Sequence, residues 1–107
     1  MILERKDNVC SFRVDTISGE TFFLDVPTLD LESGYLEVPI SSLAIVAMPP
    51  TEESKGQPTQ GLLEVGKYKG LEDSMYIGNL GIASVSRVLT DSQMGRAITS
   101  ARSGIIL

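Results

Sequence analysis

The chain has 107 residues, 42% hydrophobic and 21% charged, with no tryptophan, a length for one domain around one modest core and a composition that excludes a disordered or fibrous protein. A formal net charge of −5 speaks against partners that reward clustered Lys and Arg, namely nucleic-acid backbones and anionic membranes. The charge is uneven, with four Lys and Arg against eleven Asp and Glu in residues 1–66, and five against three in residues 67–107. The division reads first as scattered solvated charge, and second as acidic and basic surfaces that meet between subunits.

The start, MILERKDN, becomes charged after three residues and has no apolar core of the kind a secretory leader needs. A transmembrane helix takes about 20 consecutive apolar residues, and the most apolar stretch, YLEVPISSLAIVAMPP at residues 35–50, is interrupted by Glu37, Pro39, Ser41 and Ser42. A single cysteine, Cys10, leaves no internal disulfide, which points to a reducing, cytoplasmic setting.

From Val9 the residues alternate, Cys10, Phe12 and Val14 to one side and Ser11, Arg13 and Asp15 to the other, the period of a half-buried strand. After a turn at residues 17–20, a second run sets Phe22, Leu24 and Val26 against Thr21, Phe23 and Asp25 and stops at Pro27. The two runs predict a β-hairpin. Residues 28–34, TLDLESG, read as a polar connection closed by Gly34. Leu36, Val38 and Ile40 then face one way, Tyr35 and Glu37 the other, with Pro39 marking an edge, a bulge or a strand end. Ser41-Ser42 turns the chain into LAIVAM, residues 43–48, whose six uninterrupted apolar residues predict a strand covered on both faces, by the core or by another subunit.

Residues 49–60, PPTEESKGQPTQ, lack any large apolar residue and predict an exposed loop. LLEVGKYKG at 62–70 reads as a strand in which Gly66 and Gly70 mark a bulge or a close backbone approach. Residues 71–89 fit either a helical stripe or short strands around Gly78-Asn79-Leu80-Gly81; β-branched residues and flanking glycines favour strands. Residues 91–102 predict the one helix, capped by Thr90 or Asp91, with Met94, Ala97, Ile98 and Ala101 on one face and Arg96 and Arg102 toward its negative end. The sequence closes on Ile105, Ile106 and Leu107, an aliphatic tail expected to be buried.

Chemistry is constrained by the absence of histidine, which removes the commonest neutral-pH base and metal ligand and any Ser-His-Asp or Cys-His arrangement. One cysteine cannot build a structural zinc site, and Cys10 between apolar neighbours reads as core packing. Asp30 and Glu32 lie two apart before Gly34, but DLESG does not fit a calcium-binding loop and reads as a solvated turn. The turn bounded by Gly78 and Gly81 lacks the Lys-Ser/Thr of a phosphate loop. Lys67, Tyr68 and Lys69 interleave cations with an aromatic ring, a weak candidate for stacking and pairing with a nucleotide.

The order hairpin, polar turn, strand and VPISSLAIV, over roughly residues 9–48, resembles the small five-stranded SH3-like or Sm-like barrels, in which a late strand begins with a similar Val-Pro-hydroxyl step. The Sm-type RNA-binding signatures and the usual N-terminal helix are missing, so no membership is claimed.

The sequence therefore predicts a mainly β, β-rich α+β fold, an SH3-like barrel or compact sandwich of short antiparallel strands with one C-terminal helix, in a single domain with an exposed loop at 49–60. The expected function is non-enzymatic and cofactor-free: a protein-binding or structural subunit that self-associates through Leu43, Ile45, Val46, Met48, Ile105, Ile106 and Leu107. The alternatives are a small acidic accessory or inhibitor protein, of the viral or mobile-element type, that blocks a basic site on a larger protein, and a small-molecule binder using Lys67, Tyr68 and Lys69 with Gly78 and Gly81.

Overall fold

The computed structural model describes residues 1–50, 52, 53, 55–57 and 59–103. The strands are β1 (Ile2–Glu4), β2 (Val9–Thr16), β3 (Thr21–Leu24), β4 (Thr28–Asp30), β5 (Tyr35–Val38), β6 (Leu43–Met48), β7 (Thr59–Glu64), β8 (Met75–Gly78) and β9 (Ile82–Leu89); the helices are α1 (Val65–Lys69) and α2 (Gln93–Arg102). Five strands form one antiparallel sheet in the order β7-β6-β3-β2-β9, while β1 pairs with β4 and β5 with β8 in two separate ribbons.

The central sheet is buried on both faces because its strands carry large apolar residues in both parities. Phe12 and Val14 lie opposite Leu24 and Phe22. With Ala44 and Val46 they form a first core against Leu29, Leu36 and Val38 of the two ribbons. The other face carries Phe23, Leu43 and Val88 under Ile98 of α2. The result is a layered, mainly β fold with the ribbons on one side of the sheet and the C-terminal helix on the other, an open sheet in place of a closed barrel.

A bulge changes the expected face of Cys10. Val9 pairs with Leu89 and Ser11 with Val88, so Cys10 is the extra residue and the alternation slips at that point. Phe12 and Val14 stay in the first core, whereas Cys10 joins the second and its Sγ donates to the Val88 carbonyl at 3.7 Å. Phe23, grouped by period with polar Thr21 and Asp25, is fully buried because α2 covers that face.

The segment 71–89 forms strands, as its β-branched residues imply, with a single 3₁₀ turn at Asn79–Gly81 between β8 and β9. Two three-residue strands had no signal of their own, and the polar connection at 28–34 contains one of them, β4. Residues 67–69, expected in a strand, lie in α1. The chain turns there because the Val65 and Gly66 amides donate to the Ser42 and Ile40 carbonyls at 2.8 and 2.9 Å. Gly66 permits this approach, since a Cβ there would sit 2.8 Å from Ile40 Cβ, and Gly70 closes the helix with φ 66°.

Helix α2 starts two residues later than expected. Ser92 caps it, its hydroxyl oxygen accepting from the Gly95 amide at 2.9 Å and its O–H donating to the Leu89 carbonyl at 2.7 Å. The buried face is Gly95 and Ile98 with Met94 and Arg102 at its margins, whereas Ala97 and Ala101 are exposed. At its end the Arg102 guanidinium reaches the Cys10 carbonyl at 3.3 Å and Asp25 at 3.4 Å, tying the helix to the sheet. Residues 104–107, and with them Ile105, Ile106 and Leu107, lie outside the described residues. Of the expected loop, Thr51, Ser54 and Pro58 lie outside them as well, and Glu52, Glu53, Lys55, Gly56 and Gln57 are exposed.

Candidate functional site

An open groove of about 750 Å³ lies between the β1-β4 and β5-β8 ribbons, reached from β4 on one wall and β5 on the other. Pairing explains its exposed rim. In the β5-β8 ribbon Leu36, Val38, Met75 and Ile77 pack into the first core, which turns Tyr35, Glu37, Tyr76 and Gly78 outward. Tyr35 lies opposite Gly78 and Glu37 opposite Tyr76, so the two tyrosines are diagonal neighbours, at a spacing of about 7–8 Å. Both are exposed, at 63% and 65%, and a Cβ on Gly78 would have no neighbour within 4 Å, which leaves the fourth corner of this face empty.

The remaining lining is apolar at the bottom and acidic at the sides. Leu29 and Leu36 are buried beneath it, Pro27 and Pro39 mark its ends, and Asp30 and Glu37 supply the carboxylates. Glu37 is oriented by Ser74, whose hydroxyl donates to Oε2 at 2.9 Å. Asp30 Oδ1 accepts the Glu32 amide at 2.8 Å, a local turn bond. No Lys or Arg lines the groove. Outside the lining, Leu80 is 96% and Ile17 73% exposed, and the Ile17 amide donates to the Gly81 carbonyl at 2.9 Å.

Apart from Gly78, which lies opposite Tyr35 on the rim face, the residues singled out from sequence fall elsewhere. Lys67 pairs with Glu64 at 3.9 Å, Lys69 with Glu20 at 2.8 Å, and Lys69 also lies 5.7 Å from the Tyr68 ring centre. Gly78 and Gly81 bound the 3₁₀ turn, and the β2–β3 turn carries both Glu20, which holds Lys69, and Ile17, which bonds Gly81. Lys67, Tyr68, Lys69, Gly78 and Gly81 are absent from the groove lining. Leu43 and Val46 are buried in the two internal cores, and Ile45 and Met48 are half-buried against them. Strand β6 has a partner on each side, β3 and β7.

One buried-side carboxylate is strongly bound. Asp15 accepts from Arg13 at 3.1 Å, Thr21 at 2.7 Å and Ser84 at 3.0 Å, joining β2, β3 and β9. Partial burial pushes its pKa up, but the hydrogen bonds from Arg13, Thr21 and Ser84 and the Arg13 charge outweigh it and hold the carboxyl below its ordinary range. All of its neighbours are structural, so it reads as a fastening of the sheet. Among the described residues no three His, Cys, Asp or Glu side chains gather as metal ligands, and no helix is long and apolar enough to cross a membrane.

The groove was missed in the sequence because its walls come from segments far apart. Tyr35 and Glu37 alternate outward in a readable strand, but Tyr76 joins them only through the β5-β8 pairing. In comparisons with known proteins, the chain matches no family model, no curated protein and no solved structure.

Proposed function

We propose that this protein is a non-enzymatic protein-binding domain that docks a larger protein with a basic surface through the face carrying Tyr35, Glu37 and Tyr76. The observation that carries this reading is the combination of two exposed, diagonal tyrosines with two carboxylates and no cation in one groove. Tyrosine is among the residues that anchor protein interfaces, since it supplies a large apolar area with a polar tip at little entropic cost. Acidic flanks select a basic partner and speed its approach.

The test is site-specific photo-crosslinking in the cells that produce the protein, with the photoreactive residue at position 76 and a control at exposed position 97 of α2. The reading expects a discrete adduct with a basic protein from position 76 only. The purified partner then binds the double variant Tyr35→Ala, Tyr76→Ala at least tenfold more weakly by about 1.4 kcal/mol, and binds the native chain more weakly as salt rises. Adducts from position 97 alone, or equal affinity for the double variant, would remove the reading.

Self-association is a second reading, favoured by one observation. Among the described residues strand β9 is an eight-residue edge with β2 on one side only, the type of edge that pairs with a copy of itself. It predicts a dimer at micromolar concentration in sedimentation, and a particle of 11.5 kDa at all concentrations counts against it.

A further inference from the structure

We infer that the groove receives an extended segment of the partner that adds as a strand along the unpaired edge of β5 and carries Lys or Arg at alternate positions. This rests on the reading of the groove as a protein-binding face and names what fills it.

Three observations converge. First, the lining takes consecutive residues from both walls, Thr28, Leu29 and Asp30 from β4 and Tyr35, Leu36 and Glu37 from β5. Side chains of a strand alternate between faces, so a cavity touched by both parities runs along the backbone edge and not across a face. Second, β4 pairs only with β1 and β5 only with β8 among the described residues. Each strand thus keeps one edge without a strand partner, which is what strand addition uses, and on β5 only the Tyr35 carbonyl is engaged there, accepting the Ser33 hydroxyl at 2.8 Å. Third, the side chains at this edge dictate a pattern. A strand beside β5 sends alternate residues to the outer face, beside Tyr35, Glu37 and Tyr76, and the others inward toward Leu29 and Leu36.

Outer positions therefore suit Lys or Arg, which gain the Glu37 carboxylate and the tyrosine ring faces together. Inner positions suit small or β-branched apolar residues. A second copy of this chain is the poorer occupant: a two-fold contact across this face sets two linings together that each carry Asp30 and Glu37 and no Lys or Arg, and like charges brought together are destabilising. The occupant is a basic, alternating segment of another protein.

The experiment titrates the protein with capped, fluorescein-labelled heptapeptides of three kinds, four peptides in all, and follows anisotropy. The first is TKVRVKT, the second TEVEVET, and the third TKVRVKT made in two forms, N-methylated on alternate amides along one edge or the other. Binding of TKVRVKT, no binding of TEVEVET, and loss of binding in one N-methylated form are expected. Glu37→Lys, a change at an exposed position, weakens TKVRVKT about tenfold with the melting temperature unchanged. Equal binding by both N-methylated forms and the parent overturns strand addition and leaves the groove as a side-chain docking face. Equal binding of TEVEVET overturns the charge pattern. No binding by any peptide overturns the inference outright, while the adduct at position 76 judges the docking reading separately.

Discussion

Gly95→Ala separates helix propensity from tertiary packing, because the two predict opposite signs. In an isolated helix the change stabilises by about 1 kcal/mol. In this fold a Cβ at position 95 would sit 2.7 Å from the Thr90 carbonyl oxygen and nearer still to that of Leu89, where a carbon and a carbonyl oxygen normally keep about 3.3 Å or more. The Leu89 oxygen cannot yield easily, since it accepts both the Ser92 amide at 3.2 Å and the Ser92 hydroxyl at 2.7 Å. Moving α2 outward instead opens the bond from the Gly95 amide to Ser92 and loosens Ile98, which is fully buried. Overpacking of about 2–3 kcal/mol and a weakened cap of about 1 kcal/mol outweigh the propensity gain, for a net loss of about 2–3 kcal/mol. In thermal unfolding followed by circular dichroism the melting temperature falls roughly 10–20 °C. Gly78→Ala is the control, with nothing within 4 Å of its Cβ, and leaves the midpoint nearly unchanged. A Gly95→Ala protein as stable as the native chain, or more stable, would refute the close docking of α2.

Ile98→Ala removes the centre of the second core and costs about 2–5 kcal/mol, read as a lower urea midpoint. Asp15→Asn flattens the acid limb of stability. The native carboxyl titrates below its ordinary value of 3.8, so its contribution is full above that value and is lost as pH falls through the lowered folded one. Urea midpoints at pH 7, 4 and 2.5 should therefore converge for native and variant at the lowest pH; a constant gap across the series would contradict this assignment. Tyr76→Ala, at an exposed position, changes stability by about 0.5 kcal/mol or less, and a larger loss in the same urea series would mean that the ring supports the fold.

The sequence was most legible where a period of two ran long enough to read. The β2-β3 hairpin, β5 ending before Pro39, and β6 as a doubly covered strand all follow from such runs. The faces of Cys10 and Phe23 were not legible, because a bulge shifted one and a helix some seventy residues away covered the other. Helix α2 was legible as an element, but its buried side was not: Gly95, with no side chain to mark it, makes the closest approach, while apolar Ala97 and Ala101 face outward. The groove is built by pairing Tyr35 and Glu37 with residues forty positions later, a relation that no local pattern encodes. Exposed Tyr35 was a signal only once its inward neighbours were known to be filled.

Amide hydrogen exchange along β5, resolved by residue with and without TKVRVKT, tests the open edge most directly. In the free protein alternate amides between Tyr35 and Val38 should be protected by β8 while those between them exchange rapidly. Addition of the peptide should then slow the unprotected set. Full protection of all four amides in the free protein, or no change on saturation with a peptide that binds, would contradict a groove built for strand addition.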